Sequence, residues 1–452
     1  MRLLDAIDPY SQARKDLDGM ARKLMLDVTP LRQSPAFRLL WIGQAVSGVG
    51  GQMTVFAVAL QVYLLTKSTL AVGVIGLCTV VPMLSVALVG GTLGDTYDRR
   101  KIVLFAGCGQ VAVSLAFAVQ AVAGNDRLWL LYVLCTAQST LGAISVPAKR
   151  TFMAHLLPKD QIPAGAALTM LTMHFAGIAG PIFAGAVAGV WGLQVCYAVD
   201  ALSFIAAIYV VAKLPAMPPQ GSIARPGAKA IVAALRYIRV NDVLRGAFLA
   251  DVSLTLLATP TPLLPAINDL NLGGNAETLG MLMAAPAVGG VLGSLFSGRA
   301  GRVAHKGRGM LLAGAAWGTC IAIFGLVQVP VLAIALLVVA GMADVISVVF
   351  LTTIVQTTVD DTYRSRVSAV EFVVGAGGPQ LGGMRAGALG AITSPGLSAV
   401  IGGATSVLAA ALLAVALPKF ARWESESSDR ATAEELARTP SEIKAHTDSE
   451  RD

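Results

Sequence analysis

The sequence predicts an all-α membrane protein of twelve transmembrane helices in two six-helix halves. Three observations predict it. The chain of 452 residues is 55% hydrophobic and only 13% charged, with a mean hydropathy of +0.69, which excludes an ordinary soluble domain. Its apolar residues gather into runs, several of them about 20 residues or longer, the length that crosses a bilayer as a helix. Its basic residues gather between every second pair of runs, as cytoplasmic loops require.

The runs fall at 37–65, 70–93, 102–123, 128–147, 164–189, 192–212, 246–267, 279–298, 309–326, 331–353, 368–391 and 396–417. Hydrocarbon offers no water to backbone N–H and C=O groups, so each run must satisfy them internally as a helix. Residues 1–36 carry charges of both signs and no long apolar stretch. They read as a cytoplasmic tail, with Arg14, Lys15, Arg22 and Lys23 against lipid headgroups, and not as a cleavable signal peptide. Residues 37–212 form the first half. The longest internal interruption, 213–245, opens with Pro215, Pro218, Pro219 and Pro226 and continues A-I-V-A-A-L-R-Y-I-R-V, an amphipathic pattern. It reads as a cytoplasmic linker with an interfacial helix. Residues 246–417 form the second half, and 418–452, polar and charged, read as a disordered cytoplasmic tail.

Counting basic residues tests this topology. With both termini and the even-numbered connections inside, only Lys67 and Arg127 of the 34 Lys and Arg fall outside, and Arg385 falls deep in a run. That leaves 31 inside, the asymmetry expected of a multi-pass protein of the cytoplasmic (inner) membrane. The formal charge of +7 then reflects loops facing anionic lipid and calls for no nucleic acid. All five cysteines (Cys78, Cys108, Cys135, Cys196 and Cys320) lie within runs, which argues against a disulfide framework or a zinc site.

Between the second and third runs lies G-G-T-L-G-D-T-Y-D-R-R-K, residues 90–101. Glycines allow a tight turn, Asp95 is placed to accept from a helix N-terminus, and Arg99, Arg100 and Lys101 form a cytoplasmic cluster. This stretch resembles the loop signature G-x-L-x-D-R-x-G-R-R of the major facilitator superfamily. Gly91, Leu93, Asp95, Arg99 and Arg100 match it, whereas Thr96 and Asp98 replace its usual Arg and Gly. The fifth run contains Gly180-Pro181-Ile182-Phe183-Ala184-Gly185 and the eleventh Gly378-Pro379-Gln380-Leu381-Gly382-Gly383, 198 residues apart. They resemble the G-P-x-x-G-G signature of proton-coupled antiporters in that superfamily, with Ala184 in place of one glycine. The basic loops starting at Gly94 and Gly298 are offset by 204 residues. Two features repeating at about one offset indicate duplicated halves. The segment 154–172, the D-A-L-S-F of Asp200–Phe204 and the region from Gln356 to Val367 resemble the branch that holds the enterobactin exporter, a pattern shared with macrolide and multidrug effluxers.

Ionisable residues within membrane helices are costly and mark pathways or partners. Asp344 lies thirteen residues after Val331, near mid-membrane, and is the first candidate for carrying a proton. Asp200 is the reserve, and Asp251 and Glu371 follow nearer the cytoplasmic ends of their runs. Arg385 is placed to snorkel or to pair with a carboxylate. Gln52, Gln138 and His174 line either a substrate cavity or a packing surface. Pro260, Pro262 and Pro265 break the outer half of the seventh run. No phosphate-binding loop, metal-ligand cluster or nucleophile elbow occurs in the sequence, so neither an enzyme nor a cofactor is expected.

The resemblance implies a monomeric secondary transporter that exports a small organic molecule, a siderophore being one candidate, by proton antiport with alternating access. A multidrug or macrolide effluxer is the alternative within the superfamily. A membrane sensor or scaffold without flux is the alternative of another class, and uptake in place of export stays open.

Overall fold

The computed structural model describes residues 27–89, 98–214, 228–300, 303 and 305–423. Among these every element is a helix. The twelve long ones are α1 (Pro35–Thr66), α2 (Thr69–Val89), α3 (Arg99–Val122), α4 (Leu128–Leu156), α5 (Ile162–Trp191), α6 (Leu193–Ala212), α7 (Asp242–Ala258), α8 (Ala276–Ala300), α9 (Lys306–Phe324), α10 (Pro330–Thr358), α11 (Asp361–Ile392) and α12 (Pro395–Ala416). A linker helix, Ala228–Val240, precedes α7. Among the described residues, eleven spans are long and apolar enough to cross a membrane. The twelfth helix, α11, has 32 residues but carries Glu371, Arg385 and many glycines, which lower its hydropathy.

Helix starts follow local chemistry. The Ser34 hydroxyl accepts from the Phe37 amide at 3.2 Å before Pro35 opens α1. Asp98 accepts from the Arg100 amide at 2.9 Å to cap α3. Asn241 accepts from Val243 and Leu244 at 3.0 and 3.2 Å to cap α7, and Ser394 accepts from Leu397 at 3.1 Å to cap α12. Each satisfies donors that have no partner inside the helix.

The described residues divide into two compact units. Unit 1 is drawn from Met1–Lys67, Cys78–Ile223 and Asn275–Ala284, and unit 2 from Ser68–Leu77, Ala224–Gly274 and Ala285–Asp452. These units differ from the halves expected at 37–212 and 246–417 in two places: the start of α2 groups with unit 2 and the start of α8 with unit 1. Glycine causes both exchanges by letting backbones touch. A Cβ on Gly73 would lie 3.2 Å from Met384 Cα of α11, and one on Gly280 would lie 3.2 Å from Gly185 Cα of α5.

Two further boundaries move. The linker helix has Ala234 and Ile238 buried in a cluster with Leu244, Phe248, Phe350 and Val367, so it is a packed part of unit 2. Its Tyr237 ring stacks on Tyr363 at 4.5 Å, and its hydroxyl donates to Asp360 at 3.1 Å. The tail expected to be disordered from 418 begins instead with a short helical turn, Pro418–Ala421. Phe420 is fully buried there, and Lys419 pairs with Asp242 at 3.2 Å. A single aromatic anchor needs no periodic apolar face, which is why a pattern search passes over it. Residues 1–26 and 424–452 lie outside the described residues.

Candidate functional site

The four expected carboxylates separate into two groups. In unit 1, Asp200 of α6 has no solvent exposure. Its Oδ2 accepts from the Thr54 hydroxyl of α1 and the Ser114 hydroxyl of α3, both at 2.7 Å. Its Oδ1 has no hydrogen-bond partner and faces Gly50, where a Cβ would stand 3.0 Å away. Gln138 of α4 donates to Ser114 at 3.4 Å, so it joins this network. One carboxylate thereby ties α1, α3, α4 and α6 together.

A second polar knot, not foreseen as a pair, lies in the same unit. Gln61 and Gln120 exchange reciprocal amide bonds at 3.1 and 3.0 Å, and the Tyr197 hydroxyl donates to Gln61 at 2.7 Å. Tyr197 also stacks on Phe117 at 5.1 Å. Buried amides have four bonding positions to fill, so they find one another in an apolar interior.

In unit 2, α7 packs against α10 and α11, and Asp251 of α7 lies within electrostatic reach of Asp344 of α10 and of Glu371 of α11. Asp344 stands midway along α10. Asp251 is 6% exposed. Glu371 also accepts from the Thr352 hydroxyl at 3.4 Å. Three acidic groups from three helices, each weighed singly in the sequence, thus share one region of unit 2 around Asp251. Arg385 does not neutralise it. Its Nε donates to the Leu256 carbonyl at 2.9 Å, and its Nη2 donates to the Leu257 carbonyl.

The Gly-Pro motifs are close-packing surfaces on both helices. Both helices run through their prolines, Pro181 in α5 and Pro379 in α11. Gly180 lies against Gln52 of α1, where a Cβ would meet the Val49 carbonyl oxygen at 3.0 Å. Gly185 lies against α8, where a Cβ would meet the Ala276 carbonyl oxygen at 2.6 Å. In unit 2, Gly378 and Gly382 lie against Thr255 of α7, and Gly383 against Pro262. The motif in α5 thus meets α1 and the motif in α11 meets α7, equivalent partners in the two halves. Gln52 is therefore part of a packing seam, and His174 is half-buried in α5.

Of the loop motif, Gly91 and Asp95 lie outside the described residues. Arg99 is buried, and Arg100 donates to the Ala212 carbonyl at the C-terminal end of α6. A cation there opposes the negative end of the helix dipole. Among the described residues no group of His, Cys, Asp and Glu could hold a metal ion.

A family model described as "transmembrane secretion effector" matches residues 26–444. The chain belongs to that family. It is a transporter of the major facilitator superfamily rather than an enzyme, and a multi-pass membrane protein. The enterobactin exporter of Citrobacter koseri is 27% identical over 401 residues, covering 88% of this chain and 96% of that protein. The enterobactin exporter of Shigella boydii matches at the same identity and coverage. Among solved structures, a bacterial homologue of the iron transporter ferroportin in an inward-facing state superposes with a TM-score of 0.64 at 15% identity, covering 86% of this chain and 99% of that one. A peptide transporter of the POT family superposes with a TM-score of 0.68 at 10% identity, covering 87% and 96%. Both support the twelve-helix fold.

Proposed function

We propose that the chain exports a small organic molecule, of the siderophore class, across the cytoplasmic membrane by proton antiport, with both termini in the cytoplasm. That the Citrobacter and Shigella relatives are enterobactin exporters supports the direction and the substrate class. The observation that carries the coupling is that Asp344 and Glu371 lie within electrostatic reach of Asp251. Three acidic side chains on separate membrane helices strongly disfavour all being charged at once. Such a group holds protons that it can release when a basic substrate group or water reaches it. Asp344, midway along its helix, is the proton carrier in this reading, with Asp251 and Glu371 setting its affinity. Asp200 already has two hydrogen-bond donors and no exposure, which suits a fixed structural group better than one that must meet solvent. The protein works as a monomer, the two halves alternating access to a site near the midplane.

Inverted membrane vesicles test this reading, with a catecholate siderophore and a lipophilic cationic dye as separate probes. The siderophore should accumulate under an imposed pH gradient and leave when a protonophore is added. Asp344→Asn should abolish accumulation at equal expression, while Asp344→Glu keeps part of it. Dye accumulation alone would replace the siderophore class with multidrug efflux. No gradient-dependent accumulation of either probe would remove the antiport reading.

A further inference from the structure

Proline has no N–H, so in a helix it frees the carbonyl four residues earlier. Pro260 frees the Leu256 carbonyl and Pro262 frees the Ala258 carbonyl, and α7 stops at Ala258. The chain then passes through a 3-10 turn, Thr261–Leu263, and continues as the short segment Leu264–Asn271. Four carbonyls at the end of α7, those of residues 255–258, therefore lose their usual partners at membrane depth. An unmet carbonyl there costs several kcal/mol.

Each of the four receives a side-chain donor. The Thr259 hydroxyl donates to Thr255. Arg385 of α11 donates from Nε to Leu256 at 2.9 Å and from Nη2 to Leu257. The buried indole of Trp317, on α9, donates to Ala258 at 3.2 Å. The approach depends on Gly402 of α12, where a Cβ would stand 2.5 Å from the Leu257 oxygen and 2.8 Å from Arg385 Nη2. All of these residues belong to unit 2.

We propose that Arg385 is a built-in cation for the broken end of α7, and that with Trp317 it positions the segment Leu264–Asn271. An unwound helix end of this kind presents several carbonyl oxygens converging at the negative end of a helix dipole, the chemistry that elsewhere collects water or a monovalent cation. Here a guanidinium on a neighbouring helix fills it. Two of its N–H groups fork to carbonyls of adjacent residues, a geometry that a lysine ammonium cannot reproduce. Arg385 is a positioning residue: it acts on transport through the set of the α7 break, its guanidinium donating to Leu256 and Leu257 rather than to Asp251, Asp344 or Glu371. The proposal rests on the transport reading for its consequence and on the hydrogen bonds alone for its geometry.

Amide hydrogen exchange of the full chain in lipid nanodiscs tests it without any transported substrate, so its outcome is independent of whether antiport is found. Arg385→Ala should speed exchange at least tenfold at residues 261–271 and leave the amides of α3 and α6 unchanged. Guanidinium chloride at 25 mM should restore the protection in Arg385→Ala while changing nothing in the wild type. Arg385→Lys should recover part of it, and Trp317→Phe should give a smaller rise at the same residues. Unchanged exchange at 261–271 in Arg385→Ala and Arg385→Lys would overturn the proposal. So would a uniform rise across both units that guanidinium does not reverse. If neither Arg385 variant reaches the membrane, Trp317→Phe decides: a local rise at 261–271 supports the proposal and unchanged exchange overturns it.

Discussion

Asp200 invites a quantitative test because its bonding is complete on one oxygen and empty on the other. In Asp200→Asn the amide oxygen can still accept from Thr54 and Ser114, which hold Oδ2 at 2.7 Å. The new NH₂ group then occupies the place of Oδ1, which has no hydrogen-bond partner and faces Gly50. A buried donor left unmet costs about 1–3 kcal/mol, so the variant should lose about that much stability. Thr54→Val and Ser114→Ala each remove one hydroxyl donor. Such a bond is worth about 1.5–3 kcal/mol to an ionised acceptor and about 0.5–1.5 to a neutral one. Coupling energies from the cycles of Thr54→Val or Ser114→Ala with Asp200→Asn therefore report how strongly the carboxylate, beyond its shape, holds α1 and α3 on α6. The assay is equilibrium unfolding in mixed SDS and detergent micelles, followed by tryptophan fluorescence, alongside vesicle transport per folded molecule. A structural hub predicts lost stability with transport per folded molecule preserved. Full stability with abolished transport would refute the argument and return Asp200 to the proton path.

Three further outcomes follow from the same kind of reasoning. Phe420→Ala should destabilise unit 2 by about 3–5 kcal/mol, because the ring is fully buried against Gly246 and the cluster of Leu244, Phe350 and Leu417. Deletion of 425–452 should leave the melting temperature and transport near wild type, since that segment has no periodic apolar face; thermal melts in detergent check the first and vesicle transport the second. Gly382→Ala should cost about 1–3 kcal/mol by driving a methyl into the Thr255 carbonyl, whereas Gly375→Ala, with open space around it, should stabilise α11 by about 0.5–1 kcal/mol. Equal effects of the two alanines in SDS unfolding would show that the α7–α11 contact is looser than its geometry.

Much of the architecture was legible before any coordinates because the bilayer imposes a one-dimensional rule. Every lipid-crossing backbone group must be satisfied within its own segment, so the lengths of apolar runs place twelve helices within a few residues of the observed ends at most boundaries; α4 runs on by nine residues and α10 by five, α11 starts seven early, and α7 stops nine short at its prolines. Basic residues left out of those runs indicate sides, and Pro260 and Pro262 mark a break because two prolines so close together free two carbonyls within one turn, whereas the single prolines Pro181 and Pro379 are carried inside helices. The grouping of side chains was not legible, and the reason is the same solvent. A helix apolar all round carries no stripe to say which face meets lipid and which meets protein. Asp251, Asp344 and Glu371 therefore read as three separate oddities, and Arg385 as a cation placed to snorkel or to pair with a carboxylate. One signal did lie within reach: prolines at 260 and 262 leave the carbonyls of 256 and 258 in need of donors, and Arg385 and Trp317 carry them. Which donors answer is decided only when α9 and α11 pack against α7, because hydrogen bonding across helices depends on the rotation and depth of each helix, and neither is written along a single chain.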